Sequence, residues 1–140
     1  MKVDVKWTGK MGFIGVSARN QQQVQMDSSA QFGGENSGVS PMEMVLAALA
    51  GCSGMDVVSI LNKKRVEFTG LTISVEGTRA SEHPKVFTDI DVVYTFSGEN
   101  LEDKQKALED SVRLSMEKYC SVAGMLAKTA QINWQVRVEN

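Results

Sequence analysis

The sequence predicts an α+β protein in which helices are set apart from antiparallel strands. Three observations predict this. Six short stretches alternate apolar and polar residues, one long stretch is apolar on nearly every helical face, and a later stretch carries a single apolar helical stripe. Taken in chain order they read βββ-α-ββ-αα-β. This segregated order favours α+β over a doubly wound sheet, which needs strands and helices in strict alternation.

Val3, Val5 and Trp7 fall on one face of residues 2–7, the period-two signal of a half-buried strand. Met11 to Ala18, with Phe13, Ile14 and Val16, reads as a second strand, and Gln21 to Asp27, with Val24 and Met26, as a third. Ser28 to Ser40 holds Gly33-Gly34, Asn36 and Gly38 and reads as a loop. Ser40-Pro41 then opens a helix, with serine as N-cap, proline at the first helical position and Glu43 placed to close a capping box. The body, Met42 to Leu61, is apolar almost all round, which predicts burial on all sides. A chain of 140 residues has little room for such a helix, so part of its cover is expected from a second subunit. Asn62-Lys63-Lys64 ends it with the polar, cationic residues that suit a helix C-terminus.

Leu71, Ile73 and Val75 alternate, as do Ile90, Val92, Tyr94 and Phe96, predicting two strands joined through Glu82-His83-Pro84. Asn100 is expected to cap a second helix, with Glu102 and Asp103 in its first turn. Its stripe runs Leu101, Leu108, Val112, Met116 and Tyr119. Cys120 comes next, Ser121 can cap a short third helix, and Ile132, Trp134, Val136 and Val138 make a last strand.

The length suits one domain spanning 1–140. With 15 Lys+Arg against 17 Asp+Glu, the net charge of −2 lacks the basic footprint of a nucleic-acid binder. A single histidine, His83, argues against His-rich metal sites and a Ser-His-Asp triad. The longest unbroken apolar stretch, Met44 to Cys52, has nine residues, whereas a membrane span takes roughly 20. The charged, alternating N-terminus is unlike a secretory leader. A cytoplasmic protein with no membrane partner is expected.

Cys52 and Cys120 lie 68 residues apart with no CxxC spacing, which argues against zinc and iron–sulfur ligation. Two readings remain. The thiols are small buried hydrophobes, or they are a redox pair in which one attacks an oxidant and the other resolves the sulfenic acid as a disulfide.

Three segments bear on that choice: Ser40-Pro41-Met42-Glu43-Met44 running through Ala47-Ala48-Leu49-Ala50-Gly51-Cys52, His83-Pro84-Lys85-Val86-Phe87-Thr88, and Glu117-Lys118-Tyr119-Cys120-Ser121-Val122. Together, and in this order, they resemble the OsmC/Ohr family of osmotically inducible and organic hydroperoxide resistance proteins, the OsmC-like branch in particular. The resemblance covers essentially the whole chain. It implies an intertwined α+β homodimer, with curved antiparallel sheets around a long buried central helix and active sites at the subunit interface. It also implies reduction of organic hydroperoxides with electrons from an external dithiol, in some members dihydrolipoyl groups, and no bound cofactor or metal. By the same resemblance Cys52 is the peroxidatic thiol and Cys120 the resolving thiol, with Glu43 and Arg19 as the catalytic glutamate and arginine. In the hydroperoxide-resistance branch the glutamate directly follows the proline; here Met42 holds that place and Glu43 comes next. Arg19 is the only arginine before the helix, in an Ala18-Arg19-Asn20 context.

Helix geometry qualifies these roles. Nine residues at about 100° each put Glu43 about half a turn away from Cys52, so Glu43 can serve only a partner's site or its own capping box. Asp56 shares a face with Cys52, and a carboxylate there disfavours a thiolate. Activation must then come from Arg19, from another arginine such as Arg113, or from a second subunit. Cys120 is placed just ahead of a helix whose free N–H groups favour a thiolate or sulfenate. Tyr119 is expected in the core and His83 in a solvated turn. Met42, Met44, Met55, Met116 and Met125 line an alkyl pocket or simply fill the core. The expected function is a cysteine-based peroxidase. The alternative is a dimer that keeps the fold and thiols but binds a small ligand or acts as a scaffold.

Overall fold

The computed structural model describes residues 1–139. They form two compact units, Met1–Val45 and the residues from Leu46 onward.

The first unit is a three-stranded antiparallel meander of β1 (Val3–Gly9), β2 (Gly12–Ser17) and β3 (Gln23–Met26), paired in that order. Val5 faces Gly15 and Trp7 faces Phe13 across the β1–β2 register. Val3, Val5 and Trp7 share a face as the alternation predicts, yet all three are exposed, Trp7 by 67%. The half-burial expected of β1 is therefore absent, since a strand's apolar face is buried only where another layer covers it. The loop after β3 contains a 3₁₀ turn (Ala30–Phe32) and is gathered by buried Asp27. Asp27 Oδ1 accepts from Ser28 N–H (2.7 Å), and its Oδ2 accepts from Glu35 N–H (3.2 Å), Ser37 N–H (3.2 Å) and the Ser37 hydroxyl (2.6 Å). These donors favour the anion and lower its pKa from 3.8 to about 2, the Ser37 hydroxyl contributing most.

Helix α1 (Pro41–Lys63) starts at the expected cap. The Ser40 hydroxyl accepts from Glu43 N–H at 3.1 Å, and Glu43 Oε1 accepts from Ser40 N–H at 2.9 Å. From Leu46 onward α1 belongs to the second unit, where Leu49, Ser53, Gly54, Val57 and Leu61 form its buried face. Ala47, Ala48, Gly51, Met55 and Val58 are exposed. Burial on all sides is thus not achieved within one chain. The helix is long and apolar enough by composition to cross a membrane, but its inner face is tied by hydrogen bonds to other elements of the unit.

The second sheet orders β4 (Gly70–Arg79), β5 (Phe87–Ser97) and β6 (Gln131–Glu139) with β5 central. The predicted inner face of β5 is borne out: Ile90, Val92, Tyr94 and Phe96 are all buried. Gly54 of α1 lies close over β4, where a Cβ would stand 2.9 Å from Ile73 Cδ1. Leu108 and Val112 of α2 (Gln105–Leu114) add to the core.

Three local expectations are corrected. β6 pairs with β5 in parallel, not antiparallel, because a helical crossover intervenes and returns the chain in the same direction. Asn100 is no helix cap; it takes a left-handed φ of 58°, and Leu101 leads into a 3₁₀ turn (Glu102–Lys104) before α2. Tyr119 is 52% exposed, because the helix changes register before reaching it: Ser115–Tyr119 is a π-helical turn.

Candidate functional site

Cys52 lies in the middle of α1 and is half-buried, whereas Cys120 is 5% exposed. Cys120 owes its place to the π turn. Its N–H reaches back five residues to the Ser115 carbonyl at 2.8 Å, and its own backbone is extended (φ −73°, ψ 106°). It then serves as the N-cap of α3 (Ser121–Leu126), the position expected for Ser121, with its Sγ accepting from Ala123 N–H at 3.3 Å. Although 68 residues separate them in the chain, the Cys52 thiol is a neighbour of Cys120.

The electrostatics reverse one expectation. The α3 N–H groups do favour a Cys120 thiolate, but burial outweighs them, and the neighbouring Cys52 thiol pushes the same way. The Cys120 pKa rises from 9.0 to about 11, so this sulfur is a protonated thiol at neutral pH. A buried thiol held protonated is a weak nucleophile.

Beside the thiols runs a chain of polar groups. The Ser53 and Tyr94 hydroxyl oxygens are 2.6 Å apart. Ser115 Oγ lies 2.8 Å from Ser53 Oγ and 3.0 Å from Asp56 Oδ2. Ser53, Tyr94 and Ser115 have no exposed surface, and Asp56 is half-buried. Burial pushes the Tyr94 phenol up from 10.0 to about 12, opposed in part by Ser53. Sequence reasoning missed Ser53, Tyr94 and Ser115. A signal existed: Tyr94 is the one hydroxyl-bearing member of the inward β5 set and must find a buried partner.

Glu43 is engaged in the capping box, and its hydrogen bonds from the Ser40 N–H and hydroxyl hold its pKa below the usual value. Arg19 stands in the exposed turn between β2 and β3. Arg113 pairs with Asp110 at 2.7 Å and lies over the Trp134 ring, so its charge is directed there. His83 is exposed in the β4–β5 connection, as expected. Of the five candidate pocket methionines, Met55 lines a groove of about 750 Å³ with Gly51, Gly54, Val58, Leu71 and Ile73. Among the described residues, no group of three or more His, Cys, Asp or Glu could hold a metal ion.

A family model described as OsmC-like protein matches residues 34–135, a span that contains both cysteines. The chain belongs to the OsmC-like family. It is 40% identical over 138 residues to Protein YhfA of Escherichia coli K12, covering 99% of this chain and 98% of that one. It is also similar to a hypothetical protein of Aquifex aeolicus at 33% identity, with a TM-score of 0.80 and coverage of 99% and 97%. An organic hydroperoxide resistance protein, OsmC, of Legionella pneumophila shares the fold at 16% identity, with a TM-score of 0.71 and coverage of 99% and 98%. The expected OsmC/Ohr fold is thus borne out, and this OsmC-like chain has structural neighbours named for organic hydroperoxide resistance.

Proposed function

We propose that this OsmC-like protein is a cysteine-based, thiol-dependent peroxidase that reduces organic hydroperoxides to alcohols. What carries the reading is the meeting of two thiols 68 residues apart, one half-exposed and one buried and held as a thiol. Cys52 sulfur attacks the terminal oxygen of the hydroperoxide. The S–O bond forms, the O–O bond breaks, and the leaving alkoxide takes the proton from the Cys52 thiol, so sulfenic acid and alcohol result. Cys120 sulfur then attacks the sulfenic sulfur. The S–S bond forms, the S–O bond breaks, and hydroxide departs with the Cys120 proton as water. An external dithiol, such as a dihydrolipoyl group, reduces the disulfide by exchange.

The same reading includes a homodimer, because the exposed apolar faces of β1 and α1 need cover, and it takes the protein to be cytoplasmic. Arg19 is assigned to assist at Cys52. Glu43, facing away from its own Cys52 along α1, is assigned to the second copy's site.

One observation favours a second reading, a small-ligand-binding or scaffold dimer without peroxidase activity. Glu43, the expected catalytic glutamate, is occupied in a reciprocal capping box with Ser40 of its own chain.

The deciding experiment monitors free thiols and intact mass after one equivalent of cumene hydroperoxide, then of hydrogen peroxide. A peroxidase loses two thiols and two hydrogens in the wild type, stalls as a sulfenic acid in Cys120→Ser, and does not react in Cys52→Ser. Survival of both thiols in excess of either peroxide rejects catalysis and leaves the ligand-binding reading.

A further inference from the structure

The peroxidase reading uses two sulfurs but gives no reason for the three buried hydroxyls beside them. Burying hydroxyls gains nothing over packing apolar groups of the same shape, and each is costly unless hydrogen-bonded. Their arrangement converges on Ser115.

Ser115 links two elements. Its carbonyl accepts the Cys120 N–H at 2.8 Å, which closes the π turn. Its hydroxyl meets Asp56 Oδ2 at 3.0 Å, Ser53 Oγ at 2.8 Å and the Ser53 carbonyl at 3.4 Å, all on α1. One hydroxyl proton cannot serve three acceptors. The carboxylate of Asp56 can only accept, so it takes the Ser115 proton; Ser53 then donates to Ser115, and Tyr94 to Ser53. The three hydroxyls thus point in series toward Asp56 and strengthen one another.

The position of this anchor matters because of the turn it fixes. A π turn inserts one residue into the helical path, which rotates the residues beyond it by about 100° relative to an uninterrupted α-helix. Cys120 is the first residue beyond the turn. If Ser115 lets go of α1, nothing in its hydroxyl chemistry holds the widened turn against ordinary α-helical spacing, in which the Cys120 sulfur turns away from Cys52.

We infer that Ser115 is a positioning residue for the resolving thiol: by tying the π turn to Ser53 and Asp56 of α1, it holds Cys120 in the rotation that faces Cys52. This rests on the redox-pair reading and adds to it a determinant of the second step, disulfide closure.

The test separates the two steps in the full-length protein. After rapid mixing with one equivalent of cumene hydroperoxide, quenched samples are trapped with dimedone and weighed. Mass gained by the trapped sulfenic acid reports Cys52 oxidation, and the loss of two hydrogens reports closure. Ser115→Ala is expected to slow closure about tenfold relative to Cys52 oxidation, the size of effect one buried hydrogen bond can have. Asp56→Ala is expected to act in the same direction. Asp56→Asn, which keeps an oxygen to accept from Ser115, is expected to recover most of the loss, and this comparison decides the matter if Ser115→Ala does not fold. An unchanged ratio of the two rates in Ser115→Ala, or equal losses in Asp56→Ala and Asp56→Asn, overturns the positioning role while leaving the redox pair intact. A wild type whose thiols do not oxidise overturns the redox pair and this inference with it.

Discussion

Replacing Ser53 and Tyr94 singly and together tests whether the buried hydroxyl chain exists as a connected unit. Both side chains have no exposed surface, and their oxygens are 2.6 Å apart. Tyr94→Phe removes one hydroxyl and leaves the ring in place. Ser53 keeps Ser115 as a partner at 2.8 Å, so nothing is orphaned and the expected cost is about 1 kcal/mol. Ser53→Ala differs because it strands the Tyr94 hydroxyl in the core, at an expected cost of about 2–3 kcal/mol. In the double variant the stranded phenol is gone. The total should return to about 2 kcal/mol, well short of the sum of the single changes. The assay is urea unfolding at one fixed protein concentration, comparing midpoints with the slope checked for constancy. If Tyr94→Phe costs as much as Ser53→Ala, or if the double variant equals the sum within about 0.5 kcal/mol, the connected-chain argument is wrong.

Alkaline stability gives a second test. The Cys120 pKa is raised from 9.0 to about 11 and that of Tyr94 from 10.0 to about 12, so the unfolded chain loses these protons first as pH rises. Their stabilisation is complete below pH 9 and lost on the way to 12, which unfolding midpoints across that range should reveal and Tyr94→Phe should lessen. In acid the sign reverses at Asp27. Its pKa is lowered from 3.8 to about 2, so its contribution is present above 3.8 and lost as pH falls toward 2. Asp27→Asn at neutral pH should speed hydrogen exchange at the Glu35 and Ser37 amides, and unchanged protection there would contradict its role in gathering the loop. Gly77→Ala places a Cβ 2.5 Å from the buried Phe87 ring, and overpacking of this kind should lower stability by about 1–3 kcal/mol in thermal unfolding.

What was legible from sequence is local. Ser40, Pro41 and Glu43 carry the start of α1 in their spacing, and the reciprocal cap forms as read because its partners are three residues apart. The inward face of β5 follows from strict alternation at Ile90, Val92, Tyr94 and Phe96. The resemblance carried by the segments around both cysteines was specific enough to give the family. Asn100 misled because asparagine suits both a helix cap and a left-handed turn, and only the backbone path distinguishes them. Tyr119 misled because its spacing assumes 3.6 residues per turn, and the inserted residue at Ser115–Tyr119 rotates it out to solvent.

The sequence by itself determined where α1 begins, which faces are apolar and which residues can carry thiol chemistry, since these depend on neighbours a few positions apart. Only the tertiary structure decided that Cys52 and Cys120 meet, that β6 runs parallel to β5, and that Ser53, Tyr94 and Ser115 share one buried chain. It also decided how Cys120 titrates. The adjacent helix N–H groups, visible in sequence, favour the thiolate, but loss of water around the sulfur is the larger effect. Which groups lose their water depends on segments distant in the chain, and short-range patterns carry no record of that.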